Sequence, residues 1–323
     1  MASPDARDRP PVTVVIVDWN EPEVTLEAVR SVLDQLDGPR TEIVVVDNGS
    51  ERTAAGHPAA ELPGVRFVRL AENAGFAGGA NAGIAAASGE AIVLLNNDAR
   101  LEPGALAALI APLAEPRVGA VTALILLDRA EGPTLVNSTG GEVTRSANGR
   151  DRDWELPLSE LRRPAGPAPA FSGGAVALSR EAIADVGGPF DERLFMYYED
   201  TELSFRLRRR GWEIRYEPSA VVRHRHAHSS RAGSDFFLRL NERNRLRFAV
   251  VHGTAGILTR AYWRTLAGTA SRLLRGDGRG ATRRLAALGH SLRHLPQLVR
   301  SRREVTKSAT TPLRELWGGT PRD

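Results

Sequence analysis

The chain has 323 residues, 42% hydrophobic and 25% charged, which is ordinary globular usage with room for one large domain or two ordinary ones, and excludes a disordered or fibrous chain. It has no cysteine, so disulfide scaffolds, thiolate-held zinc and thiol nucleophiles drop out together, and any metal must sit on oxygen or histidine. The net charge of +4 is unevenly spread: residues 240–323 hold 17 Lys and Arg against 5 Asp and Glu, a surplus of 12 positive charges that leaves residues 1–239 at −8, so the two parts face different partners.

Residues 1–11 are polar and proline-rich and read as a frayed end. The β-branched run VTVVIV at residues 12–17 is the pattern of a strand buried on both faces of a parallel sheet. It is far short of the ~20 apolar residues a membrane span needs, and no basic-then-apolar leader opens the chain, so the expected compartment is cytoplasmic. Pro22 suits a first helical turn, and Val29, Val32, Leu33 and Leu36 continue at helical spacing until Gly38. Strands follow at 42–47, ending in Asp47, and at 65–70, running into the glycine-rich NAGFAGGANAG of residues 73–83. A helix over 80–87 then leads to AIVLL and Asn96-Asn97-Asp98. Alternating strands and helices with polar residues at strand ends predict an open, mostly parallel α/β sheet whose ligands bind at those ends.

After a strand at 118–127, residues 128–170 are rich in Gly, Pro and Arg and read as a long loop-like insertion. FSGGAVALSR at 171–180 reads as a strand, and Leu203, Phe205 and Leu207 predict a helix over 200–210 capped by Gly211. Residues 213–230 read as two short strands and a histidine-rich turn, and the basic remainder beyond residue 234 as mostly helix.

Three groups of residues have chemistry to offer. Asp98, at a strand end beside two asparagines, either caps the next turn or holds a hard divalent cation that neutralises a diphosphate. Glu199 and Asp200, at a helix start, either cap that helix or supply a general base, since like charge and a partly closed site raise a carboxylate pKa. His224, His226 and His228 alternate and superficially resemble a zinc site; one histidine completing an oxygen-rich metal site fits a cysteine-free chain better. The glycine loop allows close backbone approach to an anion at a helix start, but it is not the GxGxxG of a dehydrogenase.

In this order, VVIVDWN, VVVDNGS, NAGFAGGANAG, LLNNDA, FSGGAVALSR and FMYYEDTELSFRLRRRGW resemble the family 2 glycosyltransferases, in particular their rhamnosyltransferase-like and galactofuranosyltransferase-like branch, over residues 12–230. The resemblance implies a GT-A fold over residues 12–233, with a nucleotide-binding half (12–127) and an acceptor-binding half (128–233), followed by a helical basic region (234–323). It implies an inverting, metal-dependent transferase of a rhamnose-like or other hexose, using a TDP- or UDP-sugar and Mg or Mn. On this resemblance Asp47 contacts the nucleobase, Asp18 and Asn20 line the same pocket, and Asn73, Asn81 and Asn97 face the nucleotide sugar. Asn96, Asn97 and Asp98 occupy the DxD position, where Asn96 departs from a first aspartate; Asp98 and His224, 24 residues beyond Asp200, complete the metal set with Asn96. Asp200 is the base with Glu199 beside it, and Gly173 and Gly174 lie at the acceptor. The acceptor expected is a glycan, a lipid-linked saccharide or a small molecule of cell-surface or metabolite synthesis. The basic region is expected to touch the inner face of the membrane peripherally. Rival readings are a catalytically inactive nucleotide-sugar binder and a nucleic-acid-binding tail; the tail has no recognised reader motif and sparse aromatics, so no nucleic-acid partner is expected.

Overall fold

The computed structural model describes residues 12–35, 39–53, 56–225, 234–318 and 320–321. The polar amino-terminal stretch, Leu36, Gly38, His226 and His228 lie outside the described residues.

The amino-terminal half alternates as its sequence pattern demands. In order it forms β1 (Val12–Asp18), α1 (Pro22–Leu33), β2 (Thr41–Asp47), β3 (Val65–Arg69), α2 (Gly75–Ala86), β4 (Ala91–Asn96), the short β5 (Ala99–Leu101), α3 (Ala105–Ile110) and β6 (Val118–Leu127). β1 pairs in parallel with both β2 and β4, and β2 with β3. The second half adds β7 (Val136–Ser138), β8 (Gly141–Val143), β9 (Gly149–Asp151), β10 (Gly166–Pro167), β11 (Ala175–Ser179), α4 (Arg180–Asp185), α5 (Glu199–Arg209) and β12 (Glu213–His224). Five helices close the chain: α6 (Asp235–His252), α7 (Ala255–Leu274), α8 (Gly278–Arg293), α9 (Leu295–Lys307) and α10 (Leu313–Leu316).

The main sheet has the order β10-β12-β6-β11-β4-β1-β2-β3, with β5 on β12 and β7 on β6. It is mixed but mostly parallel along its centre; β11 runs antiparallel to both β4 and β6, while β12 is parallel to β6. Alternate strand residues feed two cores, as the two-residue strand period requires. Val15, Val44, Val46 and Leu94 pack under α2 and α5, and Val14, Ile16, Ile43, Val45 and Val93 pack under α1 and α3. Each such side chain, fully buried, contributes roughly 1.5–3 kcal/mol. A third core, of Tyr198, Phe205, Leu246, Phe248, Ile257 and Trp317, joins α5 to the carboxy-terminal helices.

Four expectations are corrected. Helix α2 begins at Gly75, not residue 80, because its glycines let the backbone lie directly on β1: a methyl at Gly83 would overlap Val15. Residues 128–170 are not simply a loop; they contain the β8–β9 hairpin, and β7 and β10 add to the main sheet. Of FSGGAVALSR only residues 175–179 are strand, the glycines forming the approach to it. Residues 213–224 are one strand, not two, with a register shift between Glu217 and Val221 where Pro218 cannot donate to the ladder.

Candidate active site

The carboxyl ends of β4 and β12 and the turn before β11 meet at one edge of the sheet. Because β11 is antiparallel, its start reaches the edge where its neighbours end. A cleft of about 260 Å3 opens there, lined among others by Asn73, Asn96, Asn97, Asp98, Gly173, Gly174, Glu199, Asp200 and His224. Nine residues drawn from five separate stretches of sequence are thus brought together.

At one wall, His224 Nε2 lies 2.9 Å from Asp98 Oδ1 and 3.4 Å from Asn96 Nδ2. His224 Nδ1 donates to Asn137 Oδ1 at 2.6 Å, which fixes the ring so that Nε2 faces the carboxylate. An imidazole nitrogen and a carboxylate oxygen this close need a positive charge between them, supplied by a proton or by a cation. Among the described residues no three acidic or histidine side chains are placed to hold one metal ion; the nearest approach is the carboxylate of Asp98 and the imidazole of His224, with the Asn96 amide beside them. That set would suit a divalent cation that completes its coordination from a substrate.

At the facing wall, α5 begins with Glu199 and Asp200. Asp200 Oδ1 accepts from Thr201 N at 2.6 Å and Oδ2 from Gly173 N at 3.3 Å. Burial pushes its pKa up, and those hydrogen bonds oppose the rise. Glu199 is buried with Oε2 unpartnered; burial, reinforced by the charge of Asp200, pushes it up to about 8. Asp151, at the end of β9, also lines the cleft and is pushed up to about 6 by burial, with the charge of Asp200 adding to the rise and the Ser138 hydroxyl opposing it.

The other residues singled out from sequence frame the cleft without lining it. Asp18 is fully buried and accepts from Thr25 Oγ1 at 2.6 Å and Glu21 N at 3.2 Å, holding the start of α1. Asp47 accepts from Ser50 N at 2.9 Å and Thr53 Oγ1 at 2.6 Å. Asn20 accepts from Glu51 N at 2.9 Å and Arg52 N at 3.1 Å, tying the loop after β1 to the loop after β2. Asn81 bonds Phe190 through both its amide atoms, Nδ2 to O at 2.9 Å and Oδ1 from N at 3.0 Å, stitching α2 to the loop before α5. Sequence reasoning did not single out Trp19, Asn48, Asn137, Asp151, Ser172 or Tyr197, all of which line the cleft. Asn48 was within reach, one residue beyond Asp47 at the end of β2; Asn137 and Asp151 lie in the stretch read as a loop.

A second groove, of about 830 Å3, adjoins the cleft. Trp154, Tyr197 and Phe237 line it, together with Glu142, Asp153 and Asn241, and it shares Asp151, Glu199 and Asp200 with the cleft. The two cavities therefore meet at Asp151, Tyr197, Glu199 and Asp200.

The family model described as "Glycosyl transferase family 2" matches residues 13–187. The chain belongs to that family. The transferase is 30% identical over 209 residues to the N-acetylglucosaminyl-diphospho-decaprenol L-rhamnosyltransferase of Mycobacterium tuberculosis, covering 58% of this chain and 67% of the relative. It is 33% identical over 205 residues to the succinoglycan biosynthesis protein ExoO of Rhizobium meliloti, covering 63% of this chain and 53% of that one. Among solved structures, the mannosyltransferase PcManGT from Pyrobaculum calidifontis, in complex with GDP-Man and Mn2+, superposes with a TM-score of 0.56 at 20% identity over 97% of this chain and 87% of the other. A GalNAc transferase holding UDP, GalNAc and Mn2+ gives 0.63 at 19% identity over 94% of this chain and 59% of the other. The fold is GT-A, and the chain is a glycosyltransferase.

Proposed function

We propose that the transferase inverts: in a single displacement it moves a rhamnose-like or other hexose from a TDP- or UDP-sugar to an acceptor hydroxyl. The observation that supports this best is the placement of Asp200 at the junction of two cavities, across the cleft from Asp98 and His224. Asp98, His224 and Asn96 would hold a Mg or Mn ion, which when bound offsets the charge of the diphosphate. Asn73 and Asn97 face the donor from the sheet edge, while Asp18, Asn20, Asp47 and Asn81 fix the loops around its nucleotide end.

The second groove takes the acceptor; Gly173 and Gly174 line the cleft itself, Gly173 N bonding Asp200 where the two cavities meet. Its aromatic lining offers apolar faces to a sugar ring and its carboxylates accept from hydroxyl groups. Asp200 takes the proton of the attacking hydroxyl as the new glycosidic bond forms on one side of the anomeric carbon and the bond to the nucleoside diphosphate breaks on the other. Positioning and fixed charge supply most of the acceleration. The Mycobacterium tuberculosis relative is named for a diphospho-decaprenol acceptor, which favours a lipid-linked acceptor in cell-surface glycan synthesis, with the basic helices at the inner face of the membrane.

The test is calorimetric titration with UDP, TDP and GDP, each with and without manganese. One nucleotide should bind more tightly with metal, and Asp98→Ala should lose that gain. Failure of all three nucleotides under both conditions would overturn the donor assignment.

A further inference from the structure

We propose that the outward face of helix α7 seats the protein on an anionic lipid surface. This rests on the reading above only for what the seat is for, the meeting with a lipid-linked acceptor; the seat itself stands on the helix.

Ile257, Ala261, Thr265 and Thr269 recur every fourth residue and are the buried row of α7. At about 100° per residue, Trp263, Leu266, Ala267, Ala270, Leu273 and Leu274 fall within an arc of roughly 120° nearly opposite that row. They are exposed: Trp263 by 69%, Leu273 by 58% and Leu274 by 89%. A helix that is apolar on two opposite sides has one side in want of a partner. Beyond one edge of the arc stand the exposed Arg260 and Arg264, and Arg275, one residue past the helix, lines the same apolar groove as Trp263, Leu266 and Leu274. No acidic residue occurs anywhere in α7.

Charge decides between occupants. A second copy packed antiparallel on this face would bring two arginine edges together, at a Coulombic cost. Anionic headgroups complement the same edge, while the tryptophan and leucines enter the acyl boundary. No described helix is long and apolar enough to cross a membrane, so α7 lies in the plane of the surface.

The seat is tied to the acceptor groove. Arg245 of α6, fully buried, donates to Ser146 O in the β8–β9 turn at 2.9 Å and to Ala261 O of α7 at 3.3 Å, and Glu242 beside it accepts from Thr265 Oγ1 at 2.8 Å. The hairpin that borders the groove and the helix that touches lipid are therefore fixed to one buried guanidinium.

The full chain should be pelleted with vesicles of phosphatidylcholine alone and of phosphatidylcholine mixed with phosphatidylglycerol, with light scattering to follow its mass in solution. Binding is expected only to the anionic vesicles, and Trp263→Asp with Leu274→Asp should weaken it about 10-fold or more, as should Arg260→Glu with Arg275→Glu. Nucleotide titration of the same variants should be unchanged, so loss of the seat and failure of the transferase reading give different results. No vesicle binding by the parent chain, or equal binding by parent and variants, would overturn the seat. A dimer dissolved by the same substitutions would assign the face to a second copy and overturn it too.

Discussion

Glu199 and Asp200 are adjacent buried carboxyls that differ in what each can bond. Asp200 receives two backbone N–H groups and faces both cavities; Glu199 has an unpartnered oxygen in the protein interior. Burial pushes both carboxyls up, and the two N–H groups that oppose the rise at Asp200 are what suit it to the role of base proposed above. Asp200→Asn should lower turnover by roughly 10²–10⁴-fold with nucleotide affinity kept, checked by initial rates beside calorimetry; near-normal turnover would remove the base assignment. Glu199 makes a pH-dependent prediction. Its folded pKa of about 8 lies above the ordinary 4.5, so the ionised form is the disfavoured one, and stability is lost as pH rises from about 4.5 to 8. Glu199→Gln mimics the protonated form. Its melting temperature should match the parent in acid and exceed it at alkaline pH, by roughly 2–4 °C for each kcal/mol relieved. A gap that does not change with pH would show that the carboxyl is not held neutral.

The segment leading into α5 is strained for a purpose. Phe195, Tyr197 and Tyr198 all have positive φ, at 66°, 69° and 74°, conformations that cost of order 1–3 kcal/mol each outside glycine. Asn244 of α6 holds them there: its Nδ2 reaches Leu194 O and Met196 O at 2.9 Å each and Tyr197 O at 2.7 Å. Asn244→Ala releases the backbone that aims Asp200. It should cost on the order of 10–10² in kcat with donor KM little changed, because the donor side is built on β1 to β4; a rise in KM with kcat intact would place its role elsewhere. This dependence shows what was legible in the sequence. The buried β-branched run of β1, Asn96-Asn97-Asp98 after β4 and Glu199-Asp200 were readable because periodicity and local residue type define them. Asn137, Asp151 and Asn244 were not: Asn137 and Asn244 act across more than 40 residues of chain, Asp151 bonds Ser138 and Ser172 from within a stretch read as a loop, and none carries a local signature. The single strand β12 was hidden by Pro218, which reads as a break but sits at a bulge.

At the scale of the whole molecule, the basic region packs onto α5. Trp317, whose Nε1 donates to His252 O within that region at 2.8 Å, packs on Phe205 of α5, ring centroids 5.2 Å apart, and His252 Nε2 lies 3.1 Å from Glu202 Oε1 of the same helix. Trp317→Ala should destabilise by roughly 3–5 kcal/mol, read as a fall in denaturation midpoint with one transition rather than two. Two transitions would show that residues 234–323 fold apart from the rest. The antiparallel course of β11 has one more consequence. The segment between β6 and β11 leaves and re-enters the sheet on neighbouring strands, with Val176 opposite Thr122, and it contributes Asp151, Trp154 and the hairpin to the groove assigned above to the acceptor. The same segment holds the His224 ring through Asn137 and bonds Asp200 through Gly173 N, so the two walls of the cleft are coupled through it: a change of sequence there that reshapes the groove also reaches the donor side.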